Sequence, residues 1–200
     1  MLTPGGGALR KTRMEAFSDG VIAILITIMV LELHAPHETG IDALRPLIPT
    51  FASYAMSFVY LGIYWNNHHH MLHATDRING AVLWANLHLL FWLSLVPFVT
   101  SWMGQTHYAS VPVAMYGAVL ILAAISYTIL TRTLIALHGR TSVLATALGR
   151  DAKGYASIAL YVVALAVAPA VPLASCAIYA LVAVIWLVPD RRIERKVHHA

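Results

Sequence analysis

Charge is scarce in this chain: Asp, Glu, Lys and Arg make up 11% of its 200 residues, against roughly 25% in an average soluble domain. Apolar residues make up 59%, and a soluble fold of this length has too little polar surface to cover them. The same figures exclude an intrinsically disordered chain and a collagen-like one. Cysteine is nearly absent: Cys176 stands alone, which excludes an internal disulfide. Also missing are a His-Glu-x-x-His zinc motif and any nucleophile with a suitably spaced base, so nothing points to an intramembrane enzyme. No internal repeat is present. What is present is a set of long uncharged runs and a mean hydropathy of +0.70, the mark of a polytopic membrane protein.

Crossing about 30 Å of hydrocarbon takes about 20 helical residues. With charges as boundaries, the first span runs from Arg13 to Leu33, and the second lies between Phe51 and Leu72. The run from Ile78 to Thr131 holds two more, divided at Gly104-Gln105-Thr106-His107 with Ser110 and Pro112 just beyond. The last run, Gly154 to Pro189, breaks at Pro169-Ala170-Val171-Pro172 into two short spans joined by a tight hairpin. The reading is an all-α fold with six transmembrane helices over 13–190. A flexible N-terminal tail over 1–12, containing Gly5-Gly6-Gly7, precedes them, and a basic tail over 191–200 follows. Five spans, with 154–189 as one long element, is the alternative.

The net charge of +4 and pI near 9.4 belong to membrane edges. Six spans put Arg10, Lys11, Arg13, Arg77, Arg132, Arg140, Arg150, Lys153, Arg191, Arg192, Arg195 and Lys196 on one side, twelve of the thirteen basic residues, and leave Arg45 on the other. That asymmetry predicts cytoplasmic N- and C-termini and supports an even span count. The basic Arg10–Arg13 run precedes a span too long for a signal peptide, with no small-residue cleavage site after it. Nucleic-acid binding is excluded, because the cations are spread along one membrane face and Arg191–Lys196 reads as an anchor.

The first span is unusual. Only twelve uncharged residues separate Asp19 from Glu32, roughly 18 Å of helix, which is too short to cross. Glu32 precedes Leu33-His34-Ala35-Pro36, an exit to water, so Asp19 is the charge drawn to membrane depth, where it needs a partner inside the bundle. The competing reading makes Asp19 a helix cap beside Ser18. At about 100° per residue, Ile24, Ile28 and Leu31 form one stripe that continues back through Val21, Gly20 and Phe17; Thr27 lies about 60° off it, and Asp19 about 140° from Ile24. Such a stripe is lipid-facing or ordinary packing by default. His69 and His73 lie four apart and share a face, but no Cys or Glu within a turn completes a metal site; the reading is interfacial histidines and no metal.

Arg13-Met14-Glu15-Ala16-Phe17-Ser18-Asp19-Gly20 followed by Val-Ile-Ala-Ile is similar to the Arg-x-x-x-Phe-Ser-Asp signature of the prokaryotic transmembrane protein 175 family, relatives of the endolysosomal potassium channel. Trp65-Asn66-Asn67-His68-His69 resembles that family's Trp-x-x-His-His, and Asn86-Leu87 with Pro97-Phe98 and Thr100 resembles its Asn-Leu and Pro-Phe-x-Thr. The matches cover residues 13–100. His70 and His73 depart from the family pattern by enlarging its histidine pair. The resemblance implies a homotetramer in a bacterial-type cell membrane, with potassium ions as permeant species and no cofactor. Four first helices would line the pore, with Ile24 as a hydrophobic constriction, Ile28 and Leu31 on the same stripe and a Thr27 hydroxyl near the ion path. Arg13, Phe17, Ser18, Asp19, Trp65, His68, His69 and Asn86 would form the polar network that holds the first helix. The Thr-Val-Gly-Tyr-Gly carbonyl filter is absent, and a ring of isoleucines gates by dewetting without coordinating a cation, so modest selectivity over sodium is expected. A secondary transporter of a cation or proton is the alternative function. It calls for broken helices at matching positions in two halves, whereas Pro97 and Pro169 are read as lying near span ends.

Overall fold

The computed structural model of the chain describes residues 5–148 and 151–187. Among them every regular element is helical. In chain order these are α1 (Gly5–Leu31), a 3-10 helix (Ile41–Leu47), α2 (Ile48–His73), α3 (Gly80–Ser94), α4 (Val96–Gln105), α5 (Ser110–His138), α6 (Val143–Leu148), α7 (Ala152–Val167) and α8 (Pro172–Leu187). Four stretches are long and apolar enough to cross a membrane: Lys11–Leu31, Ile41–His73, Gly80–Gln105 and Ser110–His138. Helices α7 and α8 are apolar but have 16 residues each. The expected basic tail over 191–200, and Arg150, lie outside the described residues.

Local chemistry sets most boundaries. Asn79 caps α3, its side chain accepting from the Val82 amide at 3.0 Å, and Asp151 does the same for α7 from Gly154 at 3.2 Å. Pro49 occupies the first turn of α2 and Pro172 opens α8, where a missing N–H costs nothing. Gly139, at φ +90°, ends α5 in a conformation that side chains disfavour. Between α4 and α5, His107 and Tyr108 take φ of 50° and 61°, and the Tyr108 hydroxyl ties this turn to the Pro49 carbonyl at 2.9 Å.

Two elements differ from the sequence expectation. Helix α1 is already formed at Gly5, the first described residue, so the described part of the segment read as a flexible tail over 1–12 is helical; a Lys11–Glu15 pair one turn apart, at 3.8 Å, supports the added turns. The third rod is broken. Leu95 ends α3 and starts α4, and Pro97 stands in the middle of Gly80–Gln105 rather than near a span end. Its ring cannot donate to the preceding turn and crowds the carbonyl four residues back, the local cause of the interruption at Leu95.

The helices pack around one continuous core to which α1, α2, α3, α4, α5, α7 and α8 all contribute buried side chains. Helix α5 is central and touches α3, α4, α7 and α8, while α1 lies to one side against α2, α3 and α4. Where backbones approach, small residues stand: a Cβ on Gly104 would come within 2.8 Å of Thr50 Cα, and one on Gly117 would overlap the Tyr179 hydroxyl. Among the described residues no buried side-chain nitrogen or oxygen lacks a hydrogen-bond partner, as a low-dielectric surrounding demands. Much of this is hydroxyl chemistry. Tyr60 donates to the Tyr179 carbonyl at 2.6 Å, Tyr161 donates to the Tyr60 hydroxyl at 3.2 Å, and Ser57 bridges Thr100 at 2.6 Å and Tyr116 at 3.0 Å.

Candidate functional site

Helix α1 has two unlike faces. Met14, Ser18, Ile22, Leu25 and Met29 are buried against the bundle, at spacings of three and four residues. Phe17, Ile24, Ile28 and Leu31 are exposed, Ile24 at 57% and Leu31 at 72%, whereas Ile22 and Met29 on the packed face are at 1% and 2%. Gly20 and Thr27 lie on the open side too, and Val21 is half-buried. The Thr27 hydroxyl donates back to the Ile24 carbonyl at 2.9 Å. The single subunit therefore holds one side of α1 and leaves an apolar stripe with nothing against it.

The packed face is fixed by a short polar chain. His68 Nε2 and Asn86 Oδ1 are 2.7 Å apart, Asn86 Nδ2 donates to Ser18 Oγ at 2.9 Å, and Ser18 Oγ donates to the Met14 carbonyl at 2.8 Å. All three side chains are almost fully buried. Three helices, α1, α2 and α3, are thereby joined by one amide. One turn away, Trp65 Nε1 donates to Asp19 Oδ1 at 3.0 Å, and the His69 ring stacks on Trp65 with centroids 6.1 Å apart. Asp19 is half-buried and has a partner on a neighbouring helix.

The structure thus brings together Ser18, Asp19, Trp65, His68, His69 and Asn86. It does not bring in Phe17, whose side chain points out along the open stripe. Arg13 is exposed and makes no ion pair among the described residues; with Met14, Phe17, Leu83, Asn86 and Leu87 it borders a groove of about 360 Å³. His69 lies 5.9 Å from His73 between ring centres, but among the described residues no group of three or more His, Cys, Asp or Glu could hold a metal ion. Glu32 follows the end of α1, just before the exposed segment that starts at His34, and its carboxylate accepts a hydrogen bond from Ser101 at 2.8 Å. Nothing in the sequence pairs those two, which stand 69 residues apart.

A bundle that is helical throughout the described residues, with several membrane-length apolar rods, defines an integral membrane protein. Comparison with known proteins narrows the class. The family described as endosomal/lysosomal potassium channel TMEM175 matches residues 13–97. A potassium channel of Chryseobacterium sp. (strain P1-3) is 51% identical over 187 residues, covering 94% of this chain and 97% of that one. The endosomal/lysosomal proton channel TMEM175 of Gallus gallus is 38% identical over 73 residues, 15% of its own length. Among solved structures, a lysosomal potassium-selective channel TMEM175 homolog from Chamaesiphon minutus superposes with a TM-score of 0.79 at 26% identity, covering 90% of this chain and 98% of that one. The chain belongs to the TMEM175 family, a family of channels and not of enzymes.

Proposed function

We propose that this protein is a potassium-permeable channel of the cell membrane, assembled from four copies of a six-helix subunit with cytoplasmic termini. The six spans are α1, α2, the broken rod α3–α4, α5, α7 and α8. The observation that carries the reading is the bare stripe of α1. Its apolar residues are too exposed to serve the subunit's own core, yet they repeat at helical spacing opposite a face that is fully packed. Four such stripes brought together around an axis make a tube lined by Ile24, Thr27, Ile28 and Leu31. The potassium-channel relatives support the class of ion.

Ile24 is the constriction in this reading. A ring of isoleucine side chains offers no hydrogen bonds to water, so a narrow passage stays dry and excludes ions; a small dilation or rotation of the four helices wets it. Thr27, about one turn further on, supplies a hydroxyl oxygen beside the ion path. The chain Ser18–Asn86–His68 and the Trp65–Asp19 bond hold the N-terminal half of α1 from behind, on the face away from the proposed axis. Ile24→Asn is expected to raise resting current in planar bilayers by keeping the constriction wet, and unchanged current would remove Ile24 from the gate. Reversal potentials in mixed potassium and sodium are expected to favour potassium, and equal permeation would overturn the ion assignment. The broken α3–α4 rod is one feature that secondary transporters share, and coupled, saturable flux in place of single-channel steps would favour that alternative.

A further inference from the structure

Helix α1 has a second anchor beyond the packed polar chain. Ser101 Oγ donates to Glu32 Oε2 at 2.8 Å, and Gln105 Nε2 donates to the same serine oxygen at 2.8 Å. Glu32 and Ser101 are half-buried and border a space of about 10 Å³ shared with Thr50, Tyr54 and Thr100. That is room for about one water molecule. A hydroxyl donating to a carboxylate is a charge-assisted bond, roughly twice as strong as a neutral one. The anchor therefore outweighs an ordinary surface contact.

The two anchors lie on opposite sides of Ile24 and on different halves of one rod. Ser18 is held by Asn86 of α3, and Glu32 by Ser101 of α4, with the break at Leu95 and Pro97 between them. A straight helix holding both anchors would force the two ends of α1 to move together. A rod broken at Pro97 lets α4 swing with the end of α1 while α3 keeps its hold near Ser18.

We propose that Glu32 and Ser101 are positioning residues for gating: a latch that holds the C-terminal half of α1 against α4 in one of the channel's two states. The proposal rests on the reading of α1 as the pore-lining helix. The Ser18–Asn86 bond acts as the fixed point, the Leu95–Pro97 break as the hinge, and the Glu32–Ser101 bond as the part that is made and broken. Neither side chain needs to touch the permeant ion.

The test is single-channel recording from reconstituted protein carrying Glu32→Leu, Ser101→Ala, and both. Each single substitution is expected to shift open probability in the same direction by roughly tenfold, with unitary conductance and reversal potential unchanged. The double variant is expected to shift it no further, because both changes remove the same bond. Glu32→Gln keeps an oxygen acceptor for the serine hydroxyl and is expected to restore most of the normal open probability. Effects that multiply in the double variant overturn the latch, as do single variants that gate normally while melting like the unaltered protein. A changed unitary conductance also overturns it, by making Glu32 a charge on the ion path. Ile24→Asn run alongside separates the two ideas: a raised current there with normal gating in the latch variants removes only the latch, whereas an unchanged Ile24→Asn current removes the pore reading on which it rests.

Discussion

Asn86 uses both ends of its amide, its oxygen toward His68 and its nitrogen toward Ser18, and Ser18 donates its own hydroxyl to the Met14 carbonyl. No alternative partner is at hand for these groups, because Ser18, His68 and Asn86 are all at 1% exposure or less. Removing one member strands the next, and a stranded buried donor costs about 1–3 kcal/mol. Asn86→Leu, which strands the His68 ring, and Ser18→Ala, which strands the Asn86 amide, are each expected to lower the melting temperature of the purified protein by roughly 3–10 °C, at about 2–4 °C per kcal/mol for a chain of this length. The double variant is expected to lose less than the sum, since both changes cut one chain; strictly additive losses would show that the two bonds act separately. The motif resemblance reached these residues because their types and order are specific. It also grouped Phe17 with them, although the helical spacing had already put Phe17 on the stripe with Ile24. Angle is the better guide there, because a side chain's face is fixed by its position on the helix and not by its neighbours in a motif.

At the scale of elements, the turns at 106–109 and 168–171 were legible because polar residues or paired prolines interrupt the apolar run. The break at Leu95 was hidden for the opposite reason: Pro97 lies inside an unbroken apolar stretch, where charge-based boundaries see nothing. The early start of α1 was hidden by three glycines that read as coil. Helix contacts such as α5 on α8 were not legible at all, because they depend on shape. Gly117 faces the Tyr179 ring so closely that a Cβ would overlap its hydroxyl, and that hydroxyl is held by the Val113 carbonyl at 3.1 Å. Gly117→Ala is therefore expected to destabilise by about 1–3 kcal/mol through overpacking, read as a lower melting temperature. Adding Tyr179→Phe removes the atom in the way and is expected to recover part of the loss; no recovery would place the strain elsewhere in the α5–α8 contact.

For the whole molecule, the question is how many times the chain crosses, since sidedness decides which end of the proposed pore faces the cytoplasm. Helix α7 has 16 residues, about 24 Å at 1.5 Å per residue, short of the roughly 30 Å of hydrocarbon, and α8 has 16 among the described residues. They are nonetheless two separate helices and not one. Val167 ends the first, Pro172 opens the second, and Ser175 Oγ donates across the turn to the Ala164 carbonyl at 2.7 Å, so the hairpin is closed by its own side chain. Packing against α5 and against each other gives both a place inside the bundle, and a short span is accommodated by local thinning of the bilayer at modest cost. An even count returns the C-terminus to the side of the N-terminus, where twelve of the thirteen Lys and Arg residues then collect, and this is the distribution that orients a chain with its basic loops in the cytoplasm. A green fluorescent protein fused after Ala200 is thus expected to fluoresce in bacterial cells, and alkaline phosphatase at the same point to stay inactive. Fusions after residue 170, within the α7–α8 turn, are expected to give the reverse pair. An active phosphatase at the C-terminus would mean an odd number of crossings, with 154–189 passing the membrane once, and would separate Arg191, Arg192, Arg195 and Lys196 from the other basic residues.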